Sequence, residues 1–231
     1  MLILALETAT SHQSVALFND QHLLAYLECE TGQPLTPQLI PTIDRLLRSV
    51  SLQVSDLEGL AVSMGPGTFT GLRVGLATMT AFRMALNIPL VGVSTLEGLA
   101  WNQPDSELPL LSTVSIRAGM VYWGLFLWRE KQVVCLKEAQ IGEITEVCEA
   151  VSEPTIVLGD GWMQNRPSLL IKDFPLIKVP PGASWPSAKG IGLAGRGFLE
   201  RGTFLPHGCT PQYIQPSYAE KSKSKSLDPT G

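Results

Sequence analysis

The residues whose types and spacing could support chemistry are concentrated in one glycine-containing loop. Gly65-Pro66-Gly67 ends a short apolar run at 57–64, and a helical pattern begins near Gly71. A strand, a glycine loop and a helix N-terminus together present unpaired N–H groups and a helix dipole to an anion. The pattern therefore allows a phosphate-loop-like site, vestigial or not, made of Gly65, Pro66, Gly67, Thr68, Gly71 and Arg73.

The loop does not match the common nucleotide motifs. Its glycines give the spacing GxGxxxG, which is longer by one residue than the dinucleotide fingerprint. No Gly-Lys-Ser/Thr follows, so the loop is not a Walker A motif. The same residues also fit a tight strand-to-helix turn that packs closely against a neighbouring segment. Both interpretations remain open on sequence alone.

The sequence gives little support to other kinds of catalytic site. His12, His22 and His207 are the only histidines, and none stands at ligand spacing from another. We therefore expect no metal site. The serines lack a GxSxG elbow, so serine hydrolysis is not indicated. Glu7 follows the first apolar run, where a carboxylate can serve a metal or can bond the N–H groups of the next turn.

The elements around these residues form two similar halves. Each half is predicted to contain three strands joined by tight turns, then a helix, a strand and a helix. In the first half the first helix opens at Thr36-Pro37. The polar stretch at 102–107 separates the halves and predicts domains at 1–102 and 108–216. The tail at 219–231 is polar and charged, which predicts disorder.

Composition limits the class of protein. The chain is 45% hydrophobic and 16% charged, with a net charge of −4. A nucleic-acid-binding domain would be expected to carry a basic face, so independent RNA binding is disfavoured. Four scattered cysteines indicate a reducing, cytoplasmic setting, and we expect neither a signal peptide nor a membrane span.

Two helices have more packing surface than one core requires. Gly71 and Gly75 lie one turn apart, and such small residues allow another element to approach closely. The first helix carries an apolar stripe of its own. The predicted partner interface comprises Leu39, Ile43, Leu46, Gly71, Val74, Gly75, Thr78 and Ala81.

The stretch at 65–100, GPGTFTGLRVGLATMTAFRMALNIPLVGVSTLEGLA, resembles the bacterial TsaB (YeaZ) family. Further similarities are SIRAGMVYWG at 115–124, VLGDGW at 157–162 and PQYIQP at 211–216, so the resemblance extends over 2–216. The chain departs from the family at Ser115 and Met120, where acids are usual, and at Leu35, where histidine is common.

The resemblance implies the duplicated βββαβα actin-like ATPase (ASKHA, RNase H-like) fold with two small domains. It implies a non-catalytic subunit that helps transfer a threonylcarbamoyl group to tRNA adenosine. The expected partners are a TsaD-like catalytic paralogue and a TsaE-like ATPase, with a homodimer when the chain is alone. We expect the chain to contact tRNA only through the complex. We expect it to bind no cofactor, except a nucleotide at an interface with its partners.

An active enzyme is the alternative. A small ATPase or phosphotransferase of the same fold would use Glu7 to position a metal-bound water. Glutamate is longer than the aspartate usual in that fold, and metal geometry tolerates such a change poorly. The absent acids at Ser115 and Met120 also disfavour this alternative.

Overall fold

A computed structural model of the chain describes residues 1–29, 38–169, 177–178 and 185–214. The expectations for Leu35, for the helix start at Thr36-Pro37 and for the tail at 219–231 lie outside these residues.

The first sheet contains five strands in the order β3-β2-β1-β4-β5. Strands β1, β2 and β3 form an antiparallel meander, and β4 and β5 continue the sheet in parallel with β1. Because β1 lies in the centre and is buried along its whole length, it reads as an unbroken apolar run. The bounds are β1 (Leu2–Glu7), β2 (Gln13–Asn19), β3 (His22–Cys29), β4 (Gly59–Ser63) and β5 (Leu90–Val93).

Three α-helices belong to the first half of the chain: α1 (Leu39–Ser49), α2 (Phe69–Leu86) and α3 (Thr95–Trp101). A single 3₁₀ turn at Val54–Asp56 precedes β4. Helices α1 and α2 cover the outer face of the first sheet with apolar residues at helical spacing. Asn87 ends α2 in the left-handed conformation (φ 54°), which is a common helix stop.

The second sheet repeats the strand order of the first, read as β8-β7-β6-β9-β10. Its strands are β6 (Leu110–Arg117), β7 (Met120–Arg129), β8 (Gln132–Glu143), β9 (Thr155–Leu158) and β10 (Ile177–Lys178). The helices are α4 (Ile144–Glu149), α5 (Asp160–Leu169) and α6 (Ala188–Glu200). The sequence did not predict α5, because it contains Pro167, which suits a helix interior poorly.

The last helix of each half packs against the sheet of the other half. Helix α3 lies on β6, β7 and β8, while α6 lies on β1, β2, β4 and β5. The two helices also pack on each other, where a side chain at Gly190 would collide with the carbonyl of Gly98. The predicted domains 1–102 and 108–216 therefore describe the order of elements along the chain. They do not describe how the elements pack, because α6 completes the core of the first sheet.

The segment after α6 returns to the first half of the structure. The N–H of Leu205 donates to the carbonyl of Leu90 at 2.9 Å, and that of Gln212 donates to the carbonyl of Met64 at 2.8 Å. Tyr213 stacks on Phe69 with ring centroids 4.9 Å apart. Across the described part of the chain, no helix combines the length and apolarity needed to cross a membrane.

Candidate functional site

Two buried carboxyl groups lie at strand ends, one in each half of the structure. Glu7 ends the central strand β1, and Asp160 begins α5 directly after β9. Their exposed fractions are 0% and 4%. Because β1 is the central strand of the first sheet and β9 lies between β6 and β10, the fold holds both acids away from water.

Glu7 bonds the turn that follows its own strand. Its Oε1 accepts the N–H of Ala9 at 2.6 Å. Its Oε2 has no hydrogen-bond partner within the described ranges. Burial raises the pKa of Glu7 to about 7, against hydrogen bonds from Ala9 and Ser63, and the charge of Asp160 raises it further. A carboxylate in this position carries a charge that water does not solvate.

Asp160 fixes the turn between β6 and β7. Its Oδ1 accepts a hydrogen bond from the N–H of Ser115 at 3.1 Å, and its Oδ2 accepts one from Nε2 of Gln164 at 3.2 Å. The N–H of Gly119 donates to Oδ1 of Asn165 at 2.9 Å. Burial raises the pKa of Asp160 to about 6, against backbone hydrogen bonds from Ser115 and from the first two residues of α5. Side chains of α5 thus accept one N–H from the end of β6 and one from the turn that follows it.

The glycine loop packs against the turn between β1 and β2. The N–H of Thr68 donates to the carbonyl of Ala9 at 2.6 Å. A Cβ at Gly67 would collide with that same carbonyl, and one at Gly71 would collide with the carbonyl of Thr8. Pro66 is buried beside them. These glycines therefore serve close packing within the chain, which is one of the two interpretations that the sequence left open.

A nucleotide with its metal does not fit these residues. Backbone carbonyls of Thr8 and Ala9 face the glycine loop, and carbonyl oxygens repel phosphate. Arg73 is placed beside two aromatic rings, and its Nε donates to the hydroxyl of Tyr213 at 3.0 Å. Its guanidinium carbon lies 3.6 Å from the ring centroid of Phe69.

The histidines are not grouped as metal ligands. No set of three His, Cys, Asp or Glu side chains that could hold a metal ion occurs in the residues that the structure describes. His12 is not simply solvated, contrary to what its turn position indicates. Its Nε2 lies 3.2 Å from Oε2 of Glu28, and its ring stacks on Trp185 with centroids 5.1 Å apart.

Much of the predicted partner interface is buried in the chain's own core. Leu39, Ile43 and Leu46 pack under α1 against the first sheet, so they are not available to a partner. Gly71 and Gly75 lie against Thr8, whose hydroxyl donates to the carbonyl of Gly71 at 2.8 Å. The prediction that these five residues form an outer face is wrong, because small-residue spacing does not show which element comes close.

The remaining three residues of the predicted interface lie at the surface. Val74 and Thr78 are half-buried and Ala81 is exposed. Ala81 belongs to an outer stripe of α2 that includes Arg73, Ala77 and Met84 and borders a cavity of about 580 Å³. The other wall is residues 209–213, which no pattern in the sequence placed beside α2.

Two sheets with the same strand order, covered by outer helices and crossed by α3 and α6, define an actin-like fold of the ATPase and sugar-kinase class. YeaZ from Pseudomonas aeruginosa superimposes with a TM-score of 0.78 at 22% identity, over 92% of this chain and 99% of that one. The family model described as TsaD, tRNA N6-adenosine threonylcarbamoyltransferase, matches residues 31–155.

Two relatives by sequence share one name and are matched over most of their length. The tRNA threonylcarbamoyladenosine biosynthesis protein TsaB of Buchnera aphidicola subsp. Schizaphis graminum is 30% identical, over 82% of this chain and 90% of that protein. TsaB of Escherichia coli K12 is 28% identical, over 96% and 97%. The chain therefore belongs to the TsaB family, as its resemblance at 65–100 predicts.

Proposed function

We propose that the chain is a non-catalytic subunit of the complex that transfers a threonylcarbamoyl group to adenosine of tRNA. The names of its relatives support the pathway, since they are tRNA threonylcarbamoyladenosine biosynthesis proteins. In this proposal the chemistry takes place on a TsaD-like paralogue. The chain binds and supports that paralogue, and a TsaE-like ATPase regulates the pair.

The observation that carries the non-catalytic role is the pair of buried carboxyl groups, Glu7 and Asp160. A phosphoryl-transfer site needs donors and cations directed at the phosphates. Here Glu7 and the carbonyls of Thr8 and Ala9 direct negative potential into the same region. The N–H of Ser115 in β6 and that of Gly119 in the following turn are already bonded to Asp160 and Asn165. A nucleotide would therefore be held only at an interface with a partner.

The proposed contact with the paralogue is the outer stripe of α2. This stripe is apolar and small at Ala77 and Ala81, and Met84 is 72% exposed. Exposed apolar surface of this kind is typical of protein contacts. Because the net charge is −4, we propose that tRNA is bound through the complex and not by this chain alone.

The proposal is tested by steady-state ATP hydrolysis and tRNA modification assays on the isolated chain and on the chain mixed with its two partners. We expect no turnover alone and modification only in the mixture. Glu7→Gln, which keeps the side-chain shape, should leave modification by the mixture within about twofold. Turnover by the isolated chain that Glu7→Gln abolishes would instead identify the ATPase or phosphotransferase alternative.

A further inference from the structure

Two cavities adjoin at Met84 along the outer side of α2, and together they are called the groove. Its first part is the cavity of about 580 Å³ between α2 and residues 209–213. A second cavity of about 560 Å³ continues past the end of α2 toward Phe204 and His207. Met84 lines both parts. From Arg73 to its end at Leu86, α2 spans about 20 Å at 1.5 Å per residue, which is the length of a helix of nearly four turns.

The groove is suited to an apolar helix. Ala77 and Ala81 leave its floor shallow, and Met84 and Phe204 are 72% and 53% exposed. Flexible methionine and small alanines adapt to an incoming helix, as in other helix-in-groove complexes. An extended strand would instead need a free sheet edge, and none of the lining residues lies on one except Leu90 at the inner end.

The charge of the groove has one sign. Among the residues that the structure describes, no Asp or Glu lines either cavity, and α2 contains no acidic residue. Arg73 lies at one end, bonded to the neutral hydroxyl of Tyr213. Arg83 lies at the other end, where its Nη1 donates to the carbonyl of Leu205 at 2.8 Å. Neither arginine forms an ion pair with a described residue, so both keep charge available for a partner.

We propose that this groove receives an acidic amphipathic helix of the paralogue, with small apolar residues in the middle and a carboxylate near each arginine. Arg73 and Arg83 are ten positions apart, or about 15 Å along the axis, so the two carboxylates are about ten residues apart. Charge-assisted bonds from arginine then fix the register of the incoming helix. This inference rests on the proposed role of α2 as the contact with the paralogue.

The same charges disfavour a second copy as the occupant. In a two-fold contact between antiparallel α2 helices, Arg73 of one copy would approach Arg83 of the other. Like charges placed together weaken such a contact relative to one with an acidic helix. A homodimer through this groove should therefore be weaker than the complex with the paralogue.

The test is the affinity of the full chain for its TsaD-like paralogue, measured by isothermal titration calorimetry. The variants are Arg73→Gln with Arg83→Gln, and Arg73→Glu with Arg83→Glu. The matched control is Arg45→Glu, an exposed arginine on α1 that lines neither cavity. We expect Kd to rise at least about tenfold for the glutamine pair and further for the glutamate pair. The control should stay within about twofold, and circular dichroism verifies the fold of each variant.

Salt dependence gives a second readout that does not require a variant. Raising NaCl from about 50 mM to about 500 mM should weaken the native complex and should affect the glutamine pair less, because screening acts on the arginine contacts. Equal salt dependence of the two would overturn the charge assignment.

Ala81→Arg separates the failure of this inference from the failure of the proposed contact. If Ala81→Arg abolishes binding while both arginine pairs bind as the native chain, the contact is on α2 but the partner is not acidic there. If none of the variants changes Kd, the contact lies elsewhere and the proposed role of α2 fails. A dimer of the isolated chain that Ala81→Arg disrupts and the glutamate pair leaves intact would identify a second copy as the occupant and overturn the inference.

Discussion

The buried surroundings of Glu7 disfavour the ionised form of its carboxyl group. The N–H of Ala9 bonds one oxygen, while the other is buried without a partner among the described residues. Asp160 adds a second negative charge from the other sheet. Removal from water favours the protonated form of both groups. The two acids should therefore make stability depend on pH in the direction opposite to that of an ion-paired carboxylate.

The pH dependence of unfolding should reveal the buried proton on Glu7. The pKa of Glu7 rises from its ordinary 4.5 to about 7 on folding, so between these values the folded chain holds a proton that the unfolded chain has lost. Its contribution to stability is present below about pH 4.5 and is lost as pH rises to about 7, by up to about 3 kcal/mol. We expect Glu7→Gln to reduce the fall in unfolding free energy between about pH 5 and pH 8, measured by urea titration.

The change in slope, and not absolute stability, is the readout. The amide nitrogen that Glu7→Gln introduces would itself be unpaired, at a cost of about 1–3 kcal/mol that does not vary with pH. Glu107→Gln serves as the control because Glu107 is exposed. If Glu7→Gln and Glu107→Gln give the same slope as the native chain, then Glu7 is ionised throughout this pH range.

At this scale the sequence predicted part of the site. A carboxylate after a buried strand indicates a bond to the next turn, and Glu7 makes that bond to Ala9. The role of Asp160 was missed, although VLGDGW repeats the pattern of an apolar strand followed by an acid. Its significance depends on the fold bringing the end of β9 close enough to the end of β1 for the charge of Asp160 to act on Glu7, and no local pattern contains that information.

Helix α2 shows why spacing alone misassigned a contact. The helical pattern that begins near Gly71 correctly predicted a helix, and the structure places Leu72, Leu76 and Met79 on its buried face. Glycines one turn apart correctly indicated a close neighbour. That neighbour is Thr8 of the same chain, in a turn more than fifty residues earlier. Local sequence specifies that something packs closely, whereas the identity of the neighbour depends on sheet topology.

Gly71→Ala distinguishes the two assignments by stability alone. A Cβ at this position would overlap the carbonyl of Thr8, which belongs to a fixed backbone turn. We expect the isolated chain to lose about 2–3 kcal/mol of unfolding free energy, as overpacked cores do. If Gly71 instead faced a partner, alanine would stabilise the isolated helix by up to about 1 kcal/mol.

Gly197→Ala is the matched control for that measurement. Gly197 is also helical, but its added Cβ would meet only the guanidinium of Arg201 at 3.2 Å, at the end of a flexible side chain. Alanine there should be neutral or stabilising by up to about 1 kcal/mol. Loss of stability in Gly197→Ala equal to that in Gly71→Ala would show that helix glycines in general, and not the contact with Thr8, produce the effect.

In the whole molecule, the two halves complete each other's cores. Helix α6 covers the inner face of the first sheet, where a Cβ at Gly192 would collide with the ring of Phe18. Helix α3 covers the second sheet in the same way, with Leu96 and Leu99 in its core. The sequence predicted the duplicated order of elements but placed each of these helices with its own half. Chain order is visible in sequence, whereas the exchange of helices requires contacts between residues far apart in the chain.

Fragments of the chain should therefore fold only when α6 is supplied. Residues 1–102 alone leave Phe18 and the inner face of the first sheet uncovered, and we expect no cooperative unfolding by circular dichroism. Residues 1–102 joined by a short Gly-Ser linker to 185–214 should unfold cooperatively. The ends are adjacent, since Oγ of Ser187 donates to Oδ1 of Asn102 at 2.8 Å and Nδ2 of Asn102 donates to the carbonyl of Trp185 at 3.3 Å. Both fragments carry Leu99→Gln, because α3 would otherwise expose the face that covers the second sheet.

Gly192→Leu in the joined fragment tests whether α6 is held by its specific contact. Its side chain has no room beside Phe18, so the cooperative transition should disappear. A fragment of residues 1–102 that unfolds as cooperatively as the joined fragment would show that the first sheet is stable without α6. A joined fragment that tolerates Gly192→Leu would show that α6 covers the sheet only loosely. Either result would indicate that α6 belongs to the second half of the structure, as its position in the sequence suggests.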